Sequence, residues 1–413
     1  MRLTMDYSRD ILLANEGKNI SQGRYVEERS AALPQFKIEA QSAYSHDPSY
    51  PVLGFNRERN DYSANLHLSQ ALFTWGQISS AIKAAEYDKE SAEHQMQEAR
   101  QLALREASTG FFDLLLSLEL EKVASDNVAQ KQRHLDEAKR KLQMEVATDY
   151  DVLAAQVALT NALPALAQAQ NAIRLAKDRL RYFMGVQEDF EVTGSLLCLP
   201  KAPDSFEVVM ERAIANRPEV AYYKSQLGVF GELVTVAKGG DKPRLDFKGN
   251  MGWSDTDDIH DDTGGGYWDA GVYFSFPIFD GFLTKGRVIQ ARSRLSTTEI
   301  KLKKLLDQIA LEARDAINRV DESVQIVKAL AATTEQAERL LQMAESGYRY
   351  GVKTRLEVDD AESNLLSARL NVARARRDYL VAKTRLLWIM GEDMQRALAG
   401  PDSTPKGICD VTP

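Results

Sequence analysis

The 413-residue sequence contains no uninterrupted apolar run of the ~20 residues that a membrane-spanning helix needs. Its densest apolar stretch, residues 111–120, is interrupted by Asp113, Ser117 and Glu119. The opening residues also lack the apolar segment of a secretory signal, which is consistent with a trimmed chain, a misassigned start or a cytosolic protein. If the protein crosses a membrane, we therefore expect it to do so through β-strands.

Basic charge, cysteine and histidine are also scarce. The chain has 52 basic and 60 acidic residues, which argues against nucleic acid as a partner because a phosphate-binding protein carries a basic patch. Two cysteines, Cys198 and Cys409, are consistent either with a disulfide or with free thiols. The five histidines are scattered and none forms a recognisable catalytic motif. We therefore predict no enzyme, no cofactor and no metal centre.

What the sequence does contain is a repeat at a constant spacing of 206 residues, the distance from Thr148 to Thr354. This offset aligns residues 146–185 with 352–391 without a gap, and it also aligns Phe73 with Phe279. Such a repeat predicts two tandem structural units. The predicted units are residues 1–200, with a helix, a strand hairpin at 35–73, a long helix at 77–143 and a return helix at 149–184; residues 201–391, with a helix, a strand hairpin at 244–279, a long helix at 284–346 and a return helix at 355–390; and a tail at 392–413.

Apolar and polar residues alternate in the predicted hairpins, which indicates strands with two different faces. Phe36 and Ile38 share one face of the first strand, whereas Lys37 and Glu39 share the other. The charged face must meet water, and the apolar face meets either lipid in a barrel or a second sheet in a soluble sandwich. Four such strands are too few to close a barrel, so a membrane role predicts self-association.

The long helices are predicted from the absence of proline and from a period of three and four between apolar residues. The second long helix has this period from Leu306 to Ala331, and Leu341 and Ala344 continue it. Such spacing is typical of a coiled-coil seam. Because many seam residues are alanine and bury little area, these helices need several neighbours. Periodicity alone leaves open an ordinary coiled coil without a duct, as in a non-channel scaffold or an adaptor protein of the envelope.

The connection between the second pair of predicted strands is strongly acidic. Five aspartates occur between Asp255 and Asp262. Carboxylate oxygens are the ligands that divalent cations prefer, but the spacing matches no known cation-binding loop. A solvated loop is therefore the favoured interpretation.

Several short motifs resemble those of the TolC-like outer-membrane efflux protein family. They are the strand-to-helix junction Phe-Pro-Ile-Phe-Asp-Gly at 276–281, the Leu-Pro-Gln at 33–35, the turn motifs at 145–155 and 351–361, and the Met-Gly pairs that end the return helices. The resemblance covers nearly the whole chain. It implies a mainly α fold in which long antiparallel helical hairpins form an α-barrel tunnel. The four strands of each chain would contribute to a trimeric, twelve-stranded outer-membrane β-barrel.

The resemblance also implies a function. The protein would be an outer-membrane channel subunit giving passive exit to substrates of a tripartite efflux pump or a type I secretion system. Its partners would be two further copies in a homotrimer, outer-membrane lipid, a periplasmic membrane-fusion adaptor and an inner-membrane pump, with the helical part in the periplasm. The transported substrate cannot be read from the sequence.

The turn motifs carry the candidate functional residues. Glu357 and Asp360 match positions at which the family places acidic rings, so the resemblance implies a tunnel constriction there. The alternative is that a helix N-terminus favours acidic residues in any case. By the same resemblance Lys353 and Arg355 are candidate gating residues. The candidate adaptor contacts are the turn residues Val146, Ala147, Thr148, Asp149, Gly351, Val352 and Thr354; of these, Thr148 and Thr354 are also expected to cap the return helices.

Overall fold

The computed structural model describes residues 2–46, 58–197, 200–258, 261–262 and 264–394. Contacts divide the chain into two compact units, the first from residues 1–15, 95–220 and 305–413 and the second from residues 16–94 and 221–304. Each unit therefore draws on both halves of the sequence. In chain order the elements are α1 (Arg2–Tyr7), α2 (Arg9–Ser30), β1 (Gln35–His46), β2 (Glu58–Phe73), α3 (Gln77–Gln143), α4 (Asp149–Met184), α5 (Phe206–Asn216), α6 (Pro218–Lys238), a 3₁₀ turn (Gly239–Asp241), β3 (Arg244–Asp258), β4 (Asp261–Asp262), β5 (Gly265–Ser275), α7 (Leu283–Arg349) and α8 (Arg355–Ile389).

The second unit contains an antiparallel sheet in which β1 pairs with β2, β2 with β3, and β3 with β5. The short strand β4 pairs with the end of β3. Phe36 and Ile38 expose 68% and 77% of their surface on one face. On the other face, His67 Nδ1 lies 2.7 Å from Asn250 Oδ1. The two faces therefore differ in polarity as the alternation predicted, and the apolar side chains of Phe36 and Ile38 are exposed among the residues that the structure describes.

Several predicted boundaries differ from the observed ones. The single helix predicted to open the first repeat is two helices, α1 and α2, and the second long helix ends at Arg349 rather than 346. Proline explains two further differences. The last strand ends at Ser275 rather than 279, because Pro277 has no N–H to donate to a neighbouring strand. The helix expected before the second hairpin is two helices, α5 and α6, which are separated at Arg217. Arg217 precedes Pro218 and has extended backbone angles (φ −68°, ψ 124°), as the residue before a proline prefers.

The first unit is helical, and its core is built from the seams of the long helices. Tyr379, Leu380 and Ile389 of α8 are almost completely buried. Most α7 residues of the predicted apolar period are also buried, namely Ile309, Ala313, Ala316, Val320, Val324, Val327 and Ala344. Leu306 and Leu341 are half-buried, and Ala331 is exposed. The observed burial thus follows the three-and-four spacing of the sequence.

Helix α4 is packed much less completely. Its buried residues are Ala162, Ala176, Leu180 and Met184, whereas Leu153 is exposed. By length and composition α4 is apolar enough to span a membrane, with a mean hydropathy of 1.3 over its most apolar window. A search for uninterrupted apolar runs does not detect α4, because polar residues interrupt its apolar sequence. The mean hydropathy of a window stays high despite a few such residues. One such helix is weak grounds for a membrane span, since polar side chains in hydrocarbon are costly.

Candidate functional site

The turns that precede the two return helices, α4 and α8, have the same local structure. Thr148 and Thr354 each accept a hydrogen bond from the backbone N–H three residues later. Asp151 and Glu357 in turn accept from the backbone N–H of their respective threonines, which completes a capping box at both sites. The capping expected of both threonines is therefore confirmed.

Glu357 is the better partnered of the two candidate constriction acids. Its carboxylate accepts hydrogen bonds from Lys353 Nζ at 2.5 Å and from the Thr354 backbone N–H at 2.8 Å. These bonds lower the pKa of Glu357 to about 2. Asp360 lies one turn later on α8 and is exposed. Glu357 therefore stays ionised throughout the neutral and mildly acidic pH range. The tunnel constriction at Glu357 and Asp360 stays a prediction.

The two candidate gating residues have different roles in the structure. Lys353 contacts Glu357, close by on its own turn, whereas Arg355 reaches a second helix. Arg355 Nη2 donates to Asp359 Oδ1 at 2.9 Å, and its Nη1 lies 3.1 Å from His134 Nδ1 on α3. Arg355 therefore connects the first turn of α8 to α3.

A buried carboxylate one turn further along α8 makes a second connection to α3. The side chain of Glu362 is 4% exposed, and its Oε1 lies 2.6 Å both from His134 Nε2 and from Gln130 Nε2. Its Oε2 lies 2.6 Å from Lys131 Nζ. Burial raises the pKa of Glu362, but the hydrogen bonds from His134 and Lys131 outweigh it and lower this pKa to about 2. We call Glu362, Gln130, Lys131 and His134 the Glu362 cluster.

Sequence reasoning missed this cluster, although one signal was present. Glu362 falls on the buried face of α8 together with Val358, Ala361 and Leu365, at the spacing of an apolar seam. An acidic residue at a seam position requires a partner, because an unpaired buried charge is strongly unfavourable. The sequence did not indicate which helix would supply that partner.

A groove of about 600 Å³ lies beside the Glu362 cluster. It brings together three of the predicted functional residues, Val146, Ala147 and Arg355. The turn residues Gly351 and Val352 are not among the residues that line it, although both are exposed. Besides Arg355, the polar lining consists of Lys131, His134, Glu137, Lys141, Tyr150, Asp151, Tyr348 and Asp359.

The two cysteines and part of the acidic connection lie outside the residues that the structure describes. Neither Cys198 nor Cys409 is among the described residues. Of the acidic connection, Asp255–Asp258 belong to the end of β3 and Asp261–Asp262 form β4. Among the residues that the structure describes, no group of three or more His, Cys, Asp or Glu side chains is arranged to hold a metal ion.

Comparison with known proteins places these features in a family. The family model described as outer membrane efflux protein matches residues 6–186 and 209–392. The outer membrane protein TolC of Escherichia coli (strain K12) is 24% identical, over 94% of this chain and 82% of the relative. The alkaline protease secretion protein AprF of Pseudomonas aeruginosa is 24% identical, over 81% of this chain and 71% of the relative.

A solved structure has the same fold. The outer membrane protein VceC of Vibrio cholerae superposes with a TM-score of 0.78 at 15% sequence identity, covering 95% of both chains. The predicted fold class is therefore confirmed: long antiparallel helical hairpins of a tunnel combined with strands that contribute to a β-barrel.

Proposed function

The chain belongs to the outer membrane efflux protein family and is an outer-membrane channel subunit, and from this premise we propose that three copies assemble into a passive duct. The sheet has four long strands, β1, β2, β3 and β5, and its two edges have no partner strand among the described residues. An open edge cannot face lipid, because its backbone polar groups would be unsatisfied. A closed barrel therefore requires strands from further copies, with the exposed apolar face of Phe36 and Ile38 against lipid.

The observation that carries this proposal is the exposed apolar face of α4. Leu153, Val157 and Leu163 are all exposed, and Leu153 exposes 62% of its surface. At the equivalent positions, 206 residues later, the return helix α8 has Asp359, Ser363 and Arg369. A helix that keeps apolar side chains where its repeat has polar ones is suited to packing against another chain.

The helix turns are the proposed contact for a periplasmic membrane-fusion adaptor, which would connect the duct to an inner-membrane pump. A turn between two long helices lies at the end of a hairpin, where a coaxial partner would meet it. The proposal that the turns of both repeats take part is supported by the exposure of their residues, of which Ala147 is half-buried and the others are exposed. The residues concerned are Val146, Ala147, Thr148, Asp149, Gly351, Val352 and Thr354.

Glu357 and Asp360 are the proposed constriction of the duct, with Lys353 and Arg355 as residues that control it. Threefold symmetry would bring each carboxylate near its two copies, and the resulting ring would favour cations. We further propose that the duct is passive: it performs no catalytic step, holds no cofactor and binds no nucleic acid.

Single-channel recording in a planar lipid bilayer tests the duct and its constriction together. We expect cation-favouring pores from the wild-type protein, and higher conductance from Glu357→Gln and Asp360→Asn. Glu357→Gln keeps an amide oxygen that can accept from the Thr354 backbone N–H, so the cap is retained. Asp126→Asn, which removes an exposed acid of α3, should leave conductance unchanged.

The same recording can overturn the proposal. A water-soluble, monomeric and non-conducting full-length protein would favour the coiled-coil scaffold or envelope adaptor instead. Pores whose conductance is unaffected by both substitutions would leave the duct in place and remove the constriction.

A further inference from the structure

We propose that His134 is a proton-controlled latch that holds the first turn of α8 against α3 while the imidazole is neutral and releases Arg355 when it is protonated. The inference rests on the proposed duct, because release of this turn would change the opening at the helix turns. Its basis is the arrangement of donors and acceptors around one imidazole ring.

The partners of His134 determine its tautomer. An arginine guanidinium has donors and no acceptor, so the 3.1 Å contact between Arg355 Nη1 and His134 Nδ1 requires Nδ1 to be the acceptor. The ring proton is then on Nε2, which donates to Glu362 Oε1 at 2.6 Å. Both nitrogens are satisfied in the neutral form. The neutral ring thus connects two residues of α8, Arg355 and Glu362, to α3.

Protonation would change one side of the ring and preserve the other. An N–H on Nδ1 would point at the guanidinium of Arg355, so that hydrogen bond would be lost and replaced by repulsion between two cations. The bond from Nε2 to Glu362 would remain and gain charge. Glu362 itself stays ionised in this range, because its pKa is lowered to about 2.

Arg355 has a second partner to which it can turn. Its Nε and Nη2 already donate to Asp359 at 3.3 and 2.9 Å, on the same helix. When Arg355 loses its contact with His134, its charge therefore stays paired with Asp359. The change is confined to the contact between α8 and α3. The anchor at Glu362 would hold the second turn of α8 while its first turn is freed.

Charged groups of both signs surround His134. Its own helix contributes Lys131 and Glu137, and α8 contributes Arg355, Asp359 and Glu362. The neighbouring helices α4 and α7 contribute polar groups to the adjoining groove. Those groups are Asp151 and Tyr150 from α4 and Tyr348 from α7, with Lys141 of α3 beside Tyr348.

Bilayer recordings at pH 8 and pH 5.5 test the latch by comparing the pore at a lower and a higher proton concentration. We expect the ratio of open to closed times of the wild-type pore to rise about tenfold on acidification, the factor that corresponds to losing one charge-assisted hydrogen bond. His134→Gln can still donate to Glu362 but cannot be protonated, so its pores should not respond. The matched control His94→Gln changes another histidine of α3 and should keep the wild-type response.

Hydrogen exchange of the full-length protein provides a readout that does not depend on conduction. After correction for intrinsic rates, protection of residues 355–362 should fall about tenfold from pH 8 to pH 5.5 in the wild type and stay constant in His134→Gln. An equal change in both proteins, or a pH response of the pore that persists in His134→Gln, would overturn the latch. Absence of pores at every pH would instead overturn the proposed duct, and the exchange data would then decide the latch alone.

Discussion

The two return helices begin alike and pack differently. α4 and α8 both start with a threonine capping box, at Thr148 and Thr354. Val358 and Glu362 are buried in the first turns of α8, whereas Leu153, in the first turns of α4, is exposed. The residues shared by the two repeats therefore determine how each return helix begins. The positions at which the repeats differ determine whether the first turns of that helix are buried or exposed. α8 finds its partners within its own chain, while α4 keeps an apolar face that suits a second chain.

The largest effect is expected from giving α4 the residues of α8. Leu153→Asp combined with Leu163→Arg places charge on the proposed contact between copies, and we expect association to weaken by about 2 kcal/mol per interface. The proposed trimer should dissociate to monomers in detergent, measured by size-exclusion chromatography with light scattering. Circular dichroism should show unchanged helix content, because both side chains are exposed within the chain. A stable trimer of the double variant would show that α4 does not form the contact.

The next effect comes from making the buried acid of α8 resemble its exposed counterpart. Glu362→Gln removes the charge that pairs with Lys131 and should destabilise the protein by about 2 kcal/mol in urea unfolding. The reverse change at the equivalent position, Gln156→Glu, alters an exposed residue of α4 and should stay within about 0.5 kcal/mol. Equal effects at the two sites would mean that burial does not distinguish the helices.

These two comparisons also show what the sequence could predict. The caps and the long helices follow from local rules, namely threonine three residues before an acid and an apolar period without proline. The Glu362 cluster does not, because His134 and Glu362 are 228 residues apart and helical spacing does not say which helices face each other. The break at Arg217 was missed although Pro218 signalled it, since the apolar pattern continues across the break.

The candidate site was predictable to a similar extent. The motif positions predict functional roles for Val146, Ala147 and Arg355, and the structure brings these three residues to one groove. The capping role of Glu357 follows from its distance to Thr354. Whether Glu357 and Asp360 also constrict a duct depends on other copies of the chain, which neither spacing nor burial within one chain reveals.

A smaller effect is expected at the turns themselves, where one of the differences between the repeats falls on a residue with positive φ. Gly351 has φ 73°, and the residue 206 positions earlier, Glu145, has φ 61°. A Cβ at Gly351 would meet no atom within 4 Å, so Gly351→Ala should cost about 1 kcal/mol through backbone conformation alone. Glu145→Gly should instead leave stability equal or slightly higher, by up to about 0.5 kcal/mol, because relief of the strain offsets the added flexibility of glycine. Urea unfolding of both variants measures the contrast, and a loss from Glu145→Gly would contradict it.

The smallest expected effect is the difference between the two threonine caps in how much each stabilises the protein, which should be close to zero. Thr148→Ala and Thr354→Ala each remove a side-chain acceptor for a backbone N–H, and each should cost about 1 kcal/mol. Because a cap acts within the first turn, the packing difference between α4 and α8 should not change its contribution, and the two losses should agree within about 0.5 kcal/mol. Thr148→Ser and Thr354→Ser keep the hydroxyl and serve as controls that should restore most of the stability. A loss at Thr354 at least about 1 kcal/mol greater than at Thr148 would show that the cap and the packing of α8 are coupled, and would extend the difference between the helices to their first residue.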